Sequence, residues 1–440
     1  MQGHILAIIL TGVAVTQFGA AQTFSEYPVP AGISVYGIAA GPDGALWFTE
    51  GLTEANSMKI GRLTTSGTVT EFTVPPPSFE GGYLTDITRG PDGALWFGEI
   101  GNLGRIDTAG NVRHFQSGGG PQGNWIQTGP DGALWHEATS NVARMDTSGN
   151  YSAPYGVLVD DTLQGLGFGQ DGSMWVTVQL SPRDSGNLRR LTLAGQVTAE
   201  YTVLSGVGPI TLGPDGAMWF ETGSGLGRIG ANGEVTTLPI HTSGSISDLI
   251  SGPDGALWFT EPYANKLGRV TTDGVLTEYT PPPAPSGLPP CLYAQYVGPF
   301  RITVGPDGAL WFTEPCANRI GRFAPAAQSV SWTVTGSHVG NFSAAQPTAL
   351  FTITVTNPVG SGPSSGPVTV TEFPPANVTS VAMSGVNWQC SGTLCTRSDA
   401  LPVGSSYPPI TVAVTLASDS STQMSNQVSV GGGGLSQASA

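Results

Sequence analysis

The amino-acid sequence predicts an all-β protein in which a seven-bladed β-propeller, closed by its N-terminal strand, is followed by an immunoglobulin-like β-sandwich. Three observations predict this fold class. A tryptophan-bearing motif recurs at spacings of 39 to 53 residues, Gly and Pro supply 63 and 35 of the 440 residues, and no segment has sustained helical periodicity. This composition is typical of short strands joined by many tight turns.

The repeated motif reads Gly-Pro-Asp-Gly-Ala-(Leu/Met)-Trp, and one degenerate copy reads Gly-Gln-Asp-Gly-Ser-Met-Trp. The seven copies begin at Gly41, Gly90, Gly129, Gly169 (the degenerate copy), Gly213, Gly252 and Gly305. Pro-Asp-Gly favours a turn, because Pro fixes φ and Gly accepts a positive φ. Around the first copy we predict four strands, at residues 36–40, 45–50, 60–63 and 68–74.

The seventh copy supplies three strands and ends at Phe323 without a fourth. Residues 24–30, Phe-Ser-Glu-Tyr-Pro-Val-Pro, resemble the fourth strand of the first repeat. We therefore predict that the N-terminal strand completes the seventh blade and closes a propeller of residues 22–323. Closure leaves no edge strand exposed.

The remaining chain lacks the tryptophan repeat. We predict a linker at 324–328, a β-sandwich at 329–430 and a disordered Gly/Ser-rich tail at 431–440. The segment around Trp388 resembles a bacterial surface-repeat domain. Its Cys390 and Cys395, and in the propeller Cys291 and Cys316, have the spacing of two local disulfides.

The N-terminus predicts export. Residues 5–15 form a mostly apolar run that precedes Gly19-Ala20-Ala21. This run is shorter than the roughly 20 residues of a membrane span, so residues 1–21 are interpreted as a signal peptide of a secreted or cell-surface protein. Export would favour oxidised cysteines.

Charge restricts the class of partner. The net charge is −15, charged residues are 11% of the chain, and the only lysines are Lys59 and Lys266. Nucleic-acid binding depends on clustered basic residues, which this chain lacks. The sequence predicts a small-molecule or extracellular ligand, no nucleic acid and no membrane span, and it leaves the oligomeric state open.

Candidate site residues lie where first strands begin and second strands end, because a hairpin brings these points to one mouth of the channel. Predicted ligand-binding residues are Tyr36, Asn124, Gln164 and Phe300. Four glutamates end second strands of consecutive blades: Glu50, Glu99, Glu261 and Glu314. They could hold a hard cation such as Mg²⁺. Alternatively, each glutamate pairs with a nearby arginine and is structural.

Three segments together resemble the streptogramin B lyases, also called virginiamycin B lyases, over residues 24–323. They are Trp-Phe-Thr-Glu, Ala-Asn-Lys-Leu-Gly-Arg at 264–269 and Leu-Thr-Glu-Tyr. The resemblance implies a seven-bladed propeller and a Mg²⁺-dependent elimination that opens a cyclic depsipeptide at its ester. It places the metal-associated glutamate at Glu314, Glu261 or Glu50. The base is a histidine in Pro-His-(Gly/Ala)-Ile, fourteen residues before that glutamate.

This sequence has Pro299-Phe300-Arg301-Ile302 at the family's histidine segment in blade 7, and no blade has His at that position. Tyr36, Asp86 and Asp248 are the candidate substitutes for the base. Three functions stay open: a Mg²⁺-dependent lyase with a different base, a non-catalytic extracellular binding propeller, and a hydrolase like the calcium-dependent lactonase propellers.

Overall fold

The computed structural model divides the chain into two compact units, Gln22–Pro325 and Ala326–Ala440. Every element that it describes is a strand. The described residues are 23–30, 34–51, 58–75, 83–99, 101–116, 125–138, 141–155, 162–180, 186–203, 206–223, 225–230, 233–285, 296, 298–325, 332–337, 348–358, 364, 366–374, 378–399, 401, 405–416, 427–433 and 435–439.

In the described part of the first unit the strands form seven four-stranded antiparallel sheets, and we number them by their repeats. The first strand of the chain, β1 (Thr23–Pro28), belongs to sheet 7. Sheet 1 contains β2 (Val35–Ala40), β3 (Ala45–Glu50), β4 (Met58–Thr64) and β5 (Val69–Val74). Sheet 2 contains β6 (Leu84–Arg89), β7 (Leu95–Glu99), β8 (Asn102–Ile106) and β9 (Val112–Gln116). Sheet 3 contains β10 (Ile126–Thr128), β11 (Leu134–Ala138), β12 (Asn141–Met145) and β13 (Tyr151–Tyr155).

The remaining four sheets repeat this meander. Sheet 4 contains β14 (Thr162–Phe168), β15 (Met174–Gln179), β16 (Gly186–Leu191) and β17 (Val197–Val203). Sheet 5 contains β18 (Val207–Leu212), β19 (Met218–Thr222), β20 (Gly225–Ile229) and β21 (Val235–Leu238). Sheet 6 contains β22 (Asp248–Ser251), β23 (Leu257–Glu261), β24 (Lys266–Val270) and β25 (Leu276–Tyr279). Sheet 7 contains β26 (Ile302–Val304), β27 (Leu310–Glu314) and β28 (Arg319–Ala324), with β1 paired to β28.

The strands of sheet 1 confirm the four that the first repeat predicts, with ends displaced by at most two residues. The motif tryptophans explain how the sheets pack. Seven hydrophobic clusters each join one sheet to the next, and each contains the tryptophan of the earlier sheet. The seventh cluster joins Trp311 of sheet 7 to Val35 and Phe48 of sheet 1.

The Pro-Asp-Gly aspartates are structural. In six repeats the aspartate Oδ1 accepts the tryptophan Nε1–H at 2.8–3.0 Å. The aspartate Oδ2 accepts an arginine Nε–H from the third strand at 2.6–2.8 Å. Each of these six carboxylates therefore clamps an indole and a guanidinium across its sheet. We call this arrangement the Asp–Trp–Arg clamp.

The second unit has two sheets that share one hydrophobic core. One sheet contains β29 (Thr333–Ser337), β30 (Ala349–Thr356), β35 (Ile410–Leu416) and β32 (Val378–Gly385). The other contains β33 (Gln389–Ser391), β34 (Leu394–Arg397), β31 (Val368–Phe373), β36 (Gln427–Gly432) and β37 (Leu435–Ser439). Their alternating residues face inward, as Phe351, Ile353 and Val355 do on β30.

The structure bears on the predicted C-terminal tail and on the predicted disulfides. The predicted disordered tail is corrected, because β36 pairs with β31 and then with β37 through a turn at Gly432 and Gly433, both at positive φ. Cys390 and Cys395 form a disulfide, as predicted. Cys316 is also disulfide-bonded, while Cys291 lies outside the described residues, as do the predicted signal peptide and most of the linker.

Candidate functional site

The four glutamates that end second strands are almost completely buried. Each lies beside a polar residue at the start of the third strand of its own sheet and one on the fourth. The groups are Glu50 with Lys59 and Glu71, Glu99 with Asn102 and His114, Glu261 with Lys266 and Glu278, and Glu314 with Arg319 and Glu26. Their partners are therefore not the arginines of the Asp–Trp–Arg clamps.

Burial raises the pKa of all four carboxyl groups. It raises the pKa of Glu50 to about 8, with a further increase from the nearby Glu71 carboxylate. Both carboxylate oxygens of Glu50 lack a hydrogen-bond partner among the described residues. Burial, with a further increase from the nearby Glu314 carboxylate, also raises the pKa of Glu26 to about 7, although the Arg319 guanidinium that Glu26 shares with Glu314 opposes the shift.

This arrangement does not fit one Mg²⁺ ion shared by the four glutamates. Each carboxyl group lies beside partners of its own sheet, and Glu314 already forms an ion pair with Arg319. Among the described residues, no group of three or more His, Cys, Asp or Glu side chains could hold a metal ion. A magnesium site therefore stays a prediction of the family resemblance, and we derive no chemical step through a metal.

A second group of residues meets where the first strands begin. We call it the Arg301 cluster: Tyr36 of sheet 1, Asp86 of sheet 2, Trp125 of sheet 3, Asp248 of sheet 6, and Phe300 and Arg301 of sheet 7. The Arg301 guanidinium carbon lies 4.3 Å from the Trp125 ring centroid, 5.3 Å from that of Phe300 and 5.8 Å from that of Tyr36. The side chain thus extends from sheet 7 to sheet 3, and it is 3% exposed.

Two carboxylates neutralise Arg301 and also connect neighbouring sheets. Asp248 Oδ2 accepts the Ile302 N–H of sheet 7 at 3.0 Å, and the Asp86 carboxylate accepts the Ile126 N–H of sheet 3. Burial raises the pKa of Asp86 to about 6, although Arg301 opposes the shift. Burial also raises the pKa of Asp248, and the positive charge of Arg301 again opposes the shift. With one guanidinium and two carboxylates, the cluster favours a charged arginine that is held in place.

Aromatic rings continue from the cluster toward solvent. The Phe300 ring lies 4.9 Å from Tyr36 and stacks at 4.9 Å on Tyr296. Tyr296 in turn meets Tyr263 edge-to-face at 5.3 Å, and Tyr263 is 51% exposed. We call these four side chains the aromatic row. Rows of this kind offer flat faces on which a ligand can stack.

The structure brings together four of the predicted site residues, namely Tyr36, Asp86, Asp248 and Phe300. Gln164 is partly buried at an irregularity of β14, and Asn124 lies outside the described residues. The sequence analysis missed Arg301, although it directly follows Phe300 in the segment that replaces the family's histidine motif.

Glu221 was also missed, because it replaces the threonine of Trp-Phe-Thr-Glu. A Cβ on Gly208 would lie 2.4 Å from the Glu221 carboxylate, so this side chain lies against the first strand of its sheet. Burial raises the pKa of Glu221 to about 7.

The described histidines lie outside the Arg301 cluster. His114 contacts Glu99 through Nδ1 at 2.9 Å, and His241 is exposed. His136 is fully buried on β11, and burial lowers its pKa to about 4. Among the described residues, none of the three makes a recorded contact with a member of the Arg301 cluster.

The sheets and their repeat define a β-propeller, and comparison with known proteins identifies its family. The profile of the virginiamycin B lyase family matches residues 11–153 and 118–290. These matches span more than half of the chain, so the chain belongs to this family. No curated protein sequence matches it. No described helix has the length and apolar character needed to cross a membrane.

Solved structures support the same assignment. The chain is similar to a catalytically inactive histidine-to-alanine variant of virginiamycin B lyase from Staphylococcus aureus with quinupristin, at 25% identity and a TM-score of 0.56, over 69% of this chain and all of that one. It is similar to a streptogramin B lyase at 27% identity and a TM-score of 0.56, over 69% and 97% of the two chains. The WD40 propeller of Doa1, at 12% identity, a TM-score of 0.53 and coverage of 70% and 97%, shares the fold alone.

Proposed function

We propose that this chain is a non-catalytic member of the virginiamycin B lyase family, which binds an extracellular ligand at the mouth of its propeller channel. The main support for this proposal is the Arg301 cluster. Phe300 stands where the family resemblance expects the base histidine, and the neighbouring Arg301 occupies the space between Tyr36 and Trp125. A phenyl ring cannot remove a proton, and a guanidinium between two carboxylates stays protonated.

The relative with quinupristin supports this proposal. That protein is catalytically inactive once one histidine is replaced by alanine. In the present chain none of the described histidines lies in the Arg301 cluster, so the described site has no imidazole to take the same role. The aromatic row, by contrast, provides stacking surface for binding without chemistry.

The proposal includes a closed ring of seven blades. Its support is that β1 provides the fourth strand of sheet 7 and that Trp311 of sheet 7 packs against sheet 1. The Thr313 hydroxyl of sheet 7 also donates to the Tyr36 carbonyl of sheet 1 at 2.8 Å. Such a ring would place the Arg301 cluster at one mouth of the central channel.

Export and an immunoglobulin-like second domain complete the proposal. The apolar N-terminal run supports export, and the Cys390–Cys395 disulfide is compatible with an oxidising compartment. The hydrophobic core that the two C-terminal sheets share supports a β-sandwich. In an exported protein this second domain would accompany the propeller outside the cell.

The second candidate function is the family's elimination with Asp86 as the base. A pKa of about 6 suits proton transfer near neutral pH, and Asp86 lies in the cluster with Tyr36. Its carboxylate, however, already accepts two backbone N–H groups and faces Arg301. These contacts favour a structural role over abstraction of a substrate proton.

Incubation with quinupristin, with and without Mg²⁺, followed by liquid chromatography with mass detection, separates these functions. We expect the retention time and the mass to stay unchanged. Elimination opens the ring without changing mass, so a Mg²⁺-dependent peak of unchanged mass and shifted retention, abolished by Asp86→Asn, would establish the second candidate. A product heavier by one water would indicate the hydrolase class.

Calorimetric titration of the same compound tests binding. If quinupristin binds, Tyr296→Ala should weaken binding about tenfold, since stacked aromatic contacts contribute on the order of 1 kcal/mol beyond area burial. Phe373→Ala removes an exposed ring of the other unit and serves as the matched control. Equal loss in both variants would argue against the aromatic row as the binding surface.

A further inference from the structure

The degenerate repeat of sheet 4 borders a pocket of about 290 Å³ between sheets 4 and 5. Its lining includes Gln170, Asp171, Trp175, Gly216, Met218 and Ile229. The pocket lies at the turns that follow the first strands. The Arg301 cluster lies at the opposite ends of those strands, so the pocket is separate from the proposed ligand site.

A single hydroxyl group explains why the pocket borders this repeat. Ser173 replaces the motif alanine, and its Oγ–H donates to Asp171 Oδ1 at 2.6 Å. That oxygen accepts the indole N–H in the six other repeats. In the described structure Trp175 Nε1 makes no hydrogen bond, and Trp175 is 7% exposed whereas the six other motif tryptophans are 0% exposed.

The arginine of this clamp is displaced as well. Elsewhere the arginine Nε donates to the aspartate, but Arg190 reaches Asp171 through Nη2. Its buried Nε has no partner among the described residues, and its guanidinium carbon lies 5.9 Å from the Trp175 ring centroid. The buried Arg190 Nε–H is therefore unsatisfied, the Trp175 Nε1–H has no protein acceptor among the described residues, and the Asp171 charge is balanced by Arg190.

Gln170 replaces the motif proline and lies against sheet 5. A Cβ on Gly216 would lie 2.9 Å from Gln170 Oε1, so this amide stands at the pocket's edge. The Trp175 indole, Met218 and Ile229 supply the apolar part of the lining. The lining thus combines apolar walls with few polar groups, as small-molecule sites do.

We propose that this pocket binds a small neutral molecule with an apolar body and a carbonyl-type hydrogen-bond acceptor. The indole N–H of Trp175 donates to the acceptor, while Met218 and Ile229 contact the body. The Asp171 carboxylate disfavours an anion at this point, and its pairing with Arg190 removes the attraction for a cation.

The test uses the full chain labelled with 5-fluorotryptophan and observed by ¹⁹F NMR. The Trp175 resonance is assigned by its loss in Trp175→Phe. Acetophenone, which has an aromatic ring and one carbonyl acceptor, should shift this resonance saturably and leave that of Trp258 unchanged. Ethylbenzene lacks the acceptor and should bind about 2- to 12-fold more weakly, the range of one net hydrogen bond.

Ser173→Ala restores the motif residue and should return the indole to Asp171, so acetophenone affinity should fall by about 2- to 12-fold, the range of the lost hydrogen bond. Ala256→Ser makes the reverse exchange in sheet 6 and should leave affinity at Trp175 within twofold. In Trp175→Phe, calorimetry should give equal affinities for acetophenone and ethylbenzene.

Three outcomes would overturn the proposal: no saturable shift of the Trp175 resonance up to the solubility limit, equal affinity of the wild-type chain for the two probes, or unchanged affinity in Ser173→Ala. None of them bears on the Arg301 cluster.

Discussion

At the residue scale, small differences between repeats decide what each sheet can do. The sequence predicts that each Pro-Asp-Gly forms a turn, but it does not show that the aspartate also holds the indole and an arginine. The exchange of Ala for Ser173 therefore looks minor in the sequence, yet in the structure it frees the Trp175 indole. Arg301 was unpredictable for a related reason, since its role depends on residues from four other sheets.

The buried Glu50 carboxyl group should make the stability of the protein depend on pH. Burial raises its pKa to about 8, so the folded state holds a proton that the unfolded chain releases near pH 4.5. The stability contributed by this proton is complete below pH 4.5 and is lost as the pH rises toward 8. In Glu50→Gln this loss is absent, so the unfolding free energy of the variant relative to wild type should rise by on the order of 3–4 kcal/mol between pH 5 and pH 8.

Urea unfolding at pH 5 and pH 8 measures this difference, and comparing the two pH values cancels the constant cost of burying the amide. Asp273→Asn, in the exposed turn between β24 and β25, is the matched control and should show no such difference. A pH-independent gap between wild type and Glu50→Gln would contradict the raised pKa.

At the element scale, the repeat predicted the strands well because its periodicity directly reflects packing. Gly61, in the Ile-Gly-Arg segment of β4, is an example of how the packing determines the repeated residue. A Cβ at this position would lie 2.0 Å from the Phe48 ring of β3, so only glycine fits. The C-terminal tail was predicted less well. Its glycines resemble a flexible linker, whereas Gly432 and Gly433 supply the positive φ of a turn between two strands.

Threonines of the second strands connect neighbouring sheets. The Thr313 hydroxyl donates to the Tyr36 carbonyl of sheet 1 at 2.8 Å and accepts the Arg301 N–H at 3.1 Å. Thr313→Val keeps the shape but removes both of these hydrogen bonds, so the unfolding free energy should fall by about 1–3 kcal/mol. Thr313→Ser keeps the hydroxyl and should lose less. Thermal and urea unfolding compare the two variants, and equal losses would assign the effect to packing.

At the scale of the whole molecule, the sequence indicated the two-unit organisation because the tryptophan repeat stops at a definite point. The structure divides the chain after Pro325, close to the predicted boundary at Phe323. The candidate site was predicted only in part, since Tyr36, Asp86, Asp248 and Phe300 were identified without the cation that unites them. Their residue types were visible in the sequence, but the convergence of separate first strands on one arginine was not.

The N-terminal strand β1 completes sheet 7 by pairing with β28. Phe24 packs on Phe323 with ring centroids 4.6 Å apart, Tyr27 stacks on Trp311 at 5.3 Å, and Glu26 forms an ion pair with Arg319. A chain beginning at Val29 would lose these contacts and expose β28 as an edge, so its propeller should unfold at a lower temperature and the chain should associate. A chain beginning at Thr23 is the matched control.

Calorimetry and light scattering compare the two chains, and a peptide of residues 23–30 is then added to the shorter one. Because the missing contacts are noncovalent, the peptide should raise the unfolding temperature and reduce association in proportion to its occupancy. An unchanged unfolding temperature in the chain beginning at Val29 would show that β1 contributes little to holding sheet 7 against sheet 1. Among the described residues, the contact between sheets 7 and 1 would then rest mainly on the Trp311 cluster and the Thr313 hydrogen bond.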